Sequence, residues 1–481
     1  MTTQHEPRIA VLVVAYNAST TLEETLERIP DGFRDRIAEI IVADDASDDD
    51  TFEKGAKWRD RNPHINTTVV RHVENRGYGG NQKAGYQVAI DKGFDVIVLL
   101  HADGQYAPEC IEKLVEPILQ GHADAVFGSR MMEPGAARRG GMPLYKYVGN
   151  KILTKVENTV LGSSLSEFHS GYRAYSVAAL KAIPFTANSD GFDFDTQIIV
   201  QLLDADKRIL EVPIPTFYGD EICYVNGLPY ARDVVKAVVS YRMSKAGFGL
   251  SNWVPPPDEY DLKEEEGSSH SIILDQLKHL PAGKVLEVGC SSGLLAEQVR
   301  GMGHHVTAID PEEHPKVHGR ADAFYRADLE AELPDIGTDF DVIIAADVIE
   351  HVKHPEHLIS ELTQRLGKEG RLIISTPNFG HWYPRIRVVT GSFDYDRRGI
   401  LDNTHLRFFT KRGLTRILDR VPLVVEDIKY SATPFPMVES QSRTLRAISA
   451  IDQALVKARP SLFGYQFIIT MRPKNLDSII G

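Results

Sequence analysis

The carboxylates of Ile41–Thr51 (IVADDASDDDT) and Val96–Glu109 (VIVLLHADGQYAPE) follow apolar runs, and so does the glycine turn of Lys284–Gly293 (KVLEVGCSSG). Each arrangement reads as a buried strand entering a polar loop, the place where open α/β sheets bind phosphorylated ligands and cofactors. Asp103 ends one such strand and is the best single candidate for a metal ligand, because aspartate oxygens suit Mg²⁺ or Mn²⁺. An ion held there could neutralise the charge that develops when a diphosphate leaves a sugar. Asp44 and Asp45 end another strand, where a carboxylate can accept from a base N–H or a ribose hydroxyl. Any one of the three could equally cap a loop.

The third stretch suits a different ligand. Glu287, Gly289 and Gly293 form an ExGxxxG turn that allows close backbone approach, as an adenosine-bearing methyl donor requires. Asp310, roughly 20 residues on, ends the next strand and supplies a ribose carboxylate. No third glycine falls at the dinucleotide spacing, which disfavours NAD. Asp328 (in ADL) offers an adenine-amine contact, and Asp347 opens the DVIEH stretch after a further buried strand. Methyl transfer from a sulfonium is an in-line displacement in which a base helps a hydroxyl acceptor. His405 is the first candidate base and His351 the second. The triplet His351, His354 and His357 is not read as a metal site, because Pro355 interrupts the turn.

The elements that must position these residues fall into two sets. From Ile9 to about Ile214, apolar strands alternate with amphipathic stretches: IAVLVVAY, a helix from TLEETLERI capped by Thr20 or Thr21, EIIVADD, a helix over Thr51–Arg61, TTVVRHV, a helix over Asn81–Lys92, and DVIVLLHADG. A second set runs from Gly283 to Asn378 through KVLEVGC, HHVTAID, DFDVIIAADVIEH and GRLIISTPN. The rhythm predicts two doubly wound α/β domains with mostly parallel sheets. Between them, Trp253–Ser269 carries three prolines and an acidic cluster and reads as a linker. The predicted domains are 1–247 and 270–481, joined by 248–269.

A chain of 481 residues exceeds what one hydrophobic core usually supports. The net charge of −13 argues against nucleic-acid binding, which needs a basic footprint. Cys110, Cys223 and Cys290 form neither a disulfide framework nor a zinc spacing and fit a reducing cytosol. The N-terminus lacks a secretory pattern, and no apolar run approaches the roughly 20 residues of a membrane helix. These features suggest a cytoplasmic protein, with peripheral contact at the inner membrane face left open. The basic, amphipathic Met142–Val156 could lie on anionic lipid, although an ordinary packed helix is the preferred reading. Nothing sets the oligomeric state.

Taken in order, VAYNAS, ADDASDDDT, ENRGYGGNQKAGYQVA, HADGQYAPE, FGSR and FHSGYRAYS resemble the family-2 inverting glycosyltransferases, particularly the branch typified by dolichyl-phosphate mannose synthase. The resemblance covers Arg8 to Phe217 and implies the GT-A fold. It places Asp44 and Asp45 on the nucleoside, Asp103 and Gln105 at the metal–diphosphate site, and Arg130 on phosphate. Ser170, Gly171, Tyr172 and Arg173 would line the acceptor side. Where the family shows Asp-x-Asp, this chain has His101-Ala102-Asp103. Either His101 joins the metal site or Asp103 binds the ion alone. Asp193 and Asp195 sit where the superfamily places acceptor-side carboxylates; either could be a base, or could cap or pack the helix that follows. From Ser271 to Arg472 the chain resembles class I S-adenosylmethionine-dependent methyltransferases with a Rossmann-like fold, and Gly391–Thr410 matches a segment these enzymes carry over the acceptor pocket.

The function expected is therefore bifunctional. A sugar passes from a nucleotide-sugar donor to a glycan or lipid-linked acceptor with inversion, and a methyl group passes from S-adenosylmethionine to a small-molecule or sugar hydroxyl. By family analogy the pathway is bacterial surface polysaccharide or glycolipid assembly. The rivals are a non-catalytic N-terminal binding module, a scaffold in a glycan complex, and a nucleotidyltransferase; AYNASTTLEE lacks the glycine-rich basic loop of the last.

Overall fold

A computed structural model describes residues 6–217, 227–245, 253, 262, 267–396, 398–433 and 443–474. The chain divides into two compact units that part after Arg242, with Trp253 belonging to the first. The first is built on seven strands: β1 (Ile9–Ala15), β2 (Ile37–Asp44), β3 (Thr67–Arg71), β4 (Val96–His101), β5 (Ala125–Ser129), β6 (Arg173–Ser176) and β7 (Ile209–Pro213). Their order is β3-β2-β1-β4-β6-β5-β7, and only β6 runs against its neighbours. Helices cover both faces, so β1 and β4 are apolar almost throughout; Val96 to Leu100 is wholly buried. Burying each of these large side chains contributes about 1.5–3 kcal/mol. Parallel pairing of β1 with β2 and β4 brings Asp44, Asp45 and His101 to one edge of the sheet.

The helix expected from Asn81 begins instead at Gly77. Its glycines look like loop residues in the sequence, yet they let the chain 189–194 lie against the helix. A Cβ on Gly79 would stand 2.5 Å from the Ser189 carbonyl oxygen. The helices Leu22–Glu27, behind Thr21, and Thr51–Arg61 form where expected. Trp253 is no free linker residue: it is buried among Val200, Ala237, Val238 and Tyr241, and its carbonyl accepts Gln201 Nε2 at 2.6 Å. The rest of 248–266, apart from Leu262, lies outside the described residues.

The second unit carries β8 (Lys284–Val288), β9 (His305–Asp310), β10 (Ala323–Arg326), β11 (Phe340–Ala346), β12 (Leu366–Pro377), β13 (Leu423–Tyr430) and β14 (Gln466–Pro473). The order is β10-β9-β8-β11-β12-β14-β13. β14 alone is antiparallel, inserted between β12 and β13. The order reverses between β8 and β11, which opens a crevice at their carboxyl ends. Glu287, Gly289, Asp310 and Asp347 all stand at that end of the sheet. Among the described residues no helix is long and apolar enough to cross a membrane.

Candidate functional site

In the first unit, Asp44 is fully buried where β2 ends. Ser47 Oγ donates to its Oδ1, while no hydrogen bond reaches Oδ2 and Arg71 Nε stands 3.5 Å away. Burial raises its pKa above the ordinary carboxylate value, against the pull of Ser47 and Arg71. Asp45 is also buried and accepts Arg76 N at 2.8 Å. A buried carboxylate oxygen without a donor is costly, and a ligand N–H or hydroxyl would satisfy it.

His101 ends β4, half-buried, between the rings of Tyr78 and Tyr106. Tyr78 donates its hydroxyl proton to Asp195 Oδ2 at 2.9 Å, and His101 Nε2 lies 3.3 Å from the Tyr78 hydroxyl oxygen. A phenol has one proton to give, so His101 Nε2 must be the donor in its contact with Tyr78. Nδ1 is then the lone-pair nitrogen. Desolvation lowers the pKa of His101, with Asp103 and Asp195 opposing, and so favours the neutral imidazole a metal needs. Gly171 makes room for the ring: a Cβ there would stand 2.5 Å from both Cε1 and Nε2. Asp103 accepts Gln105 N at 3.0 Å, which closes a backbone turn in the loop after β4. Among the described residues no third acidic, thiol or imidazole group joins His101 and Asp103 in a compact set. A hard divalent ion at Asp103 would draw its other ligands from water and diphosphate, as Mg²⁺ sites do.

Three of the expected ligand residues are buried in the fold. Arg130 is buried and forked onto Glu167, which accepts its N, Nε and Nη2; Nη2 also donates to the His169 carbonyl at 2.9 Å. Its Nε and Nη2 are thus committed inside the fold. The ring of Tyr172 is wholly inside the core and its hydroxyl reaches the Pro108 carbonyl, so it lines no cleft. Arg173 is likewise interior, donating to the carbonyls of Phe168, Ser170 and Asp195 and standing 3.4 Å from Asp195 Oδ1. It braces the site from beneath. Ser170 Oγ is buried without a hydrogen-bond partner. Asp193 occupies the N-cap position of Phe194–Asp204, but its side chain accepts Gln197 Nε2 at 2.8 Å and caps no backbone N–H. Asp195 is buried against Arg173 and Tyr78, whereas Asp193 is half-exposed.

In the second unit, Glu287 is buried, and burial pushes its pKa up to about 8 against the Ala296 backbone N–H. Its Oε2 has no hydrogen-bond partner. Gly289 turns at φ +71°, and a Cβ there would collide with Val348 at 2.6 Å. Asp310 accepts Ser291 N at 2.8 Å and Glu312 N at 2.9 Å, fastening the glycine turn to the end of β9. Gly293 adopts φ +79° and begins the next helix. Asp328 is exposed and accepts Glu330 N. Asp347, at φ +57°, accepts Ser375 Oγ at 2.8 Å and Gln466 Nε2 at 2.6 Å. A glycine cradle and an unpartnered buried carboxylate oxygen fit an adenosine-bearing cofactor.

Known proteins agree with both halves. Residues 10–183 match the glycosyl transferase family 2 model. An undecaprenyl-phosphate mannosyltransferase of Micrococcus luteus is 31% identical over 45% of this chain and 85% of its own length. An uncharacterized protein of Methanocaldococcus jannaschii is 33% identical, over 45% of this chain and 84% of its own. The chain belongs to glycosyl transferase family 2. Residues 268–427 match a methyltransferase domain model, so a family-2 glycosyltransferase is fused here to a methyltransferase domain. A "probable S-adenosylmethionine-dependent methyltransferase" of Mycolicibacterium smegmatis is 31% identical over 33% of this chain and 59% of that protein.

Several residues around the candidate site of the first unit carry no motif of their own in the sequence. Tyr78 links His101 to Asp195, although only its place between glycines could have marked it. Glu157 is buried and accepts Thr196 Oγ1 at 2.9 Å, with His169 Nε2 3.1 Å from its other oxygen. Tyr230 meets the other nitrogen of His169 at 2.8 Å. A glutamate on the inner face of an otherwise ordinary helix, Leu144–Leu161, gave no local signal.

Proposed function

We propose that the chain is a bifunctional enzyme: an inverting, metal-dependent transferase of sugar from a nucleotide-sugar donor to a polyprenyl-phosphate acceptor, and an S-adenosylmethionine-dependent O-methyltransferase. The observation that carries this reading is shared by both units. Each buries a carboxylate oxygen without a donor at the binding edge of its sheet, Asp44 Oδ2 in one and Glu287 Oε2 in the other. Asp44 and Asp45 would receive the nucleoside, and Asp103, with His101 Nδ1, would hold the ion. That ion would supply charge neutralisation as the diphosphate departs. The residues beside it favour a phosphate acceptor in this reading. Asp195 is already engaged by Arg173 and Tyr78, and a lipid phosphate is anionic at pH 7 and needs no general base. In the second unit, Glu287, the Gly289 turn and Asp310 would orient the cofactor. Bound S-adenosylmethionine would supply an electrophilic methyl group.

The helix Leu144–Leu161 supports a lipid-linked substrate. It turns Asn150, Thr154 and Glu157 inward and leaves Leu144, Tyr145, Val148 and Ile152 exposed. Lys151 and Lys155 are exposed on the same helix. An apolar stripe flanked by cations suits the interface of an anionic membrane. We place the enzyme at the inner face of the membrane, in surface glycan or glycolipid assembly.

The test uses the full chain. Calorimetry should show S-adenosylmethionine binding to the parent, and donor hydrolysis with Mn²⁺ should fall at least tenfold in Asp103→Ala. A parent that hydrolyses no nucleotide sugar but binds the cofactor would leave only the methyltransferase half.

A further inference from the structure

The loop after β11 and the segment 400–407 meet at a cluster that the methyl-transfer reading uses only in part. Glu350, His351 and His405 each offer one ligand atom, and the three atoms lie within 4.8 Å of one another. The cluster is built rather than accidental. The Glu350 carbonyl accepts both Leu406 N at 2.8 Å and Arg407 N at 3.0 Å, which pins the His405 segment beside the Glu350–His351 pair. The Glu350 carboxylate is 1% exposed and accepts Thr376 Oγ1 at 2.9 Å. The imidazoles of His351 and His405 meet edge to face at 4.8 Å.

The outer hydrogen bonds decide which nitrogens are available. His351 Nδ1 lies 3.3 Å from the Thr404 carbonyl, and His405 Nδ1 lies 3.3 Å from the Ile400 carbonyl. A carbonyl only accepts, so both Nδ1 atoms carry protons and both Nε2 atoms carry lone pairs. Metal-binding imidazoles are held in this manner, one N–H on a backbone carbonyl or carboxylate and the other nitrogen on the ion. His354 and His357 stand outside the cluster, at the start of the helix Pro355–Arg365.

We propose that Glu350, His351 and His405 bind one divalent transition ion of the Zn²⁺ type on the acceptor side of the methyltransferase unit. Two imidazoles and one carboxylate suit such an ion better than Mg²⁺, which prefers an all-oxygen set. Three protein ligands leave coordination positions open, which two neighbouring oxygens of a diol-bearing acceptor can fill. An acceptor hydroxyl held there loses its proton to solvent more readily. The oxygen then forms the new O–C bond while the C–S bond of the sulfonium breaks, its electron pair staying on sulfur. On this account His351 and His405 are ligands and not bases, and the acceptor carries adjacent hydroxyls. This chemical role rests on the methyl-transfer reading; the binding of the ion does not.

The experiment is a Co²⁺ titration of the chelator-treated full chain carrying Asp103→Ala, which silences the other candidate metal site, read by visible ligand-field absorption and repeated calorimetrically with Zn²⁺. One equivalent should bind. His351→Ala and His405→Ala should each weaken it at least about 100-fold, more than the loss of an outer hydrogen bond does. S-adenosylmethionine binding by each variant reports that the unit is folded, and the exposed His351 is the safer substitution. The proposal falls if no equivalent binds, or if affinity is unchanged in a folded His351→Ala protein. Cofactor binding without metal would overturn this inference alone, whereas metal without cofactor would overturn the methyl-transfer reading alone.

Discussion

Glu287→Gln should stabilise the second unit in the absence of cofactor and remove most of its dependence on pH between 5 and 9. The carboxyl is buried, and its pKa rises from 4.5 to about 8 because burial disfavours the ionised form. At pH 4 the group is protonated folded and unfolded alike, so it adds no penalty. As the pH climbs past 4.5, the unfolded chain releases the proton and the folded chain keeps it until about 8. Folding is penalised progressively across that window, by up to about 5 kcal/mol above pH 8 at 1.36 kcal/mol per unit. Glutamine is nearly isosteric, can still accept the Ala296 N–H, and never ionises. The assay is chemical denaturation of parent and variant at pH 5, 7 and 9, following the transition that S-adenosylmethionine shifts upward. The two proteins should differ by no more than about 1 kcal/mol at pH 5, with the variant several kcal/mol more stable at pH 9. Equal slopes with pH would refute the burial that raises the pKa of this carboxyl. So would a variant that is less stable at pH 9.

Gly171→Ala places a methyl 2.5 Å from the His101 imidazole; we expect metal-dependent nucleotide binding to weaken at least tenfold while Asp103→Glu keeps part of it, measured by calorimetry with UDP or GDP and Mn²⁺. Asp193→Asn should leave sugar transfer to a polyprenyl phosphate within about fivefold of the parent, because an anionic acceptor needs no base; a loss above about 100-fold would refute transfer without a base. Val148→Glu with Ile152→Glu should abolish cosedimentation with vesicles of anionic lipid and leave hydrolysis of the soluble donor unchanged, since both side chains face solvent.

The strands that carry Asp44, His101, Glu287 and Asp310 were legible because each is an apolar run ending in a polar residue, a pattern set by burial on both sheet faces. What lay beyond it depends on distance in space. The Gly77–Gly80 stretch looks like a loop in isolation, and only packing against 189–194 makes it a helix. Arg130 has the residue type for a phosphate contact, yet a glutamate 37 positions away has taken its guanidinium. The pair His351 and His405 shows the same limit from the other side. Each looked like a candidate base when read singly, and the carbonyls of Thr404 and Ile400, which settle the tautomers, have no signature in a sequence. A base needs one available nitrogen near an acceptor; a metal site needs two imidazoles converging with a carboxylate. The fold supplies convergence across 54 positions of chain, because the Glu350 carbonyl ties down Leu406 and Arg407. On the metal-site proposal the same residues change chemical meaning once that tie is seen, from proton acceptors to ligands.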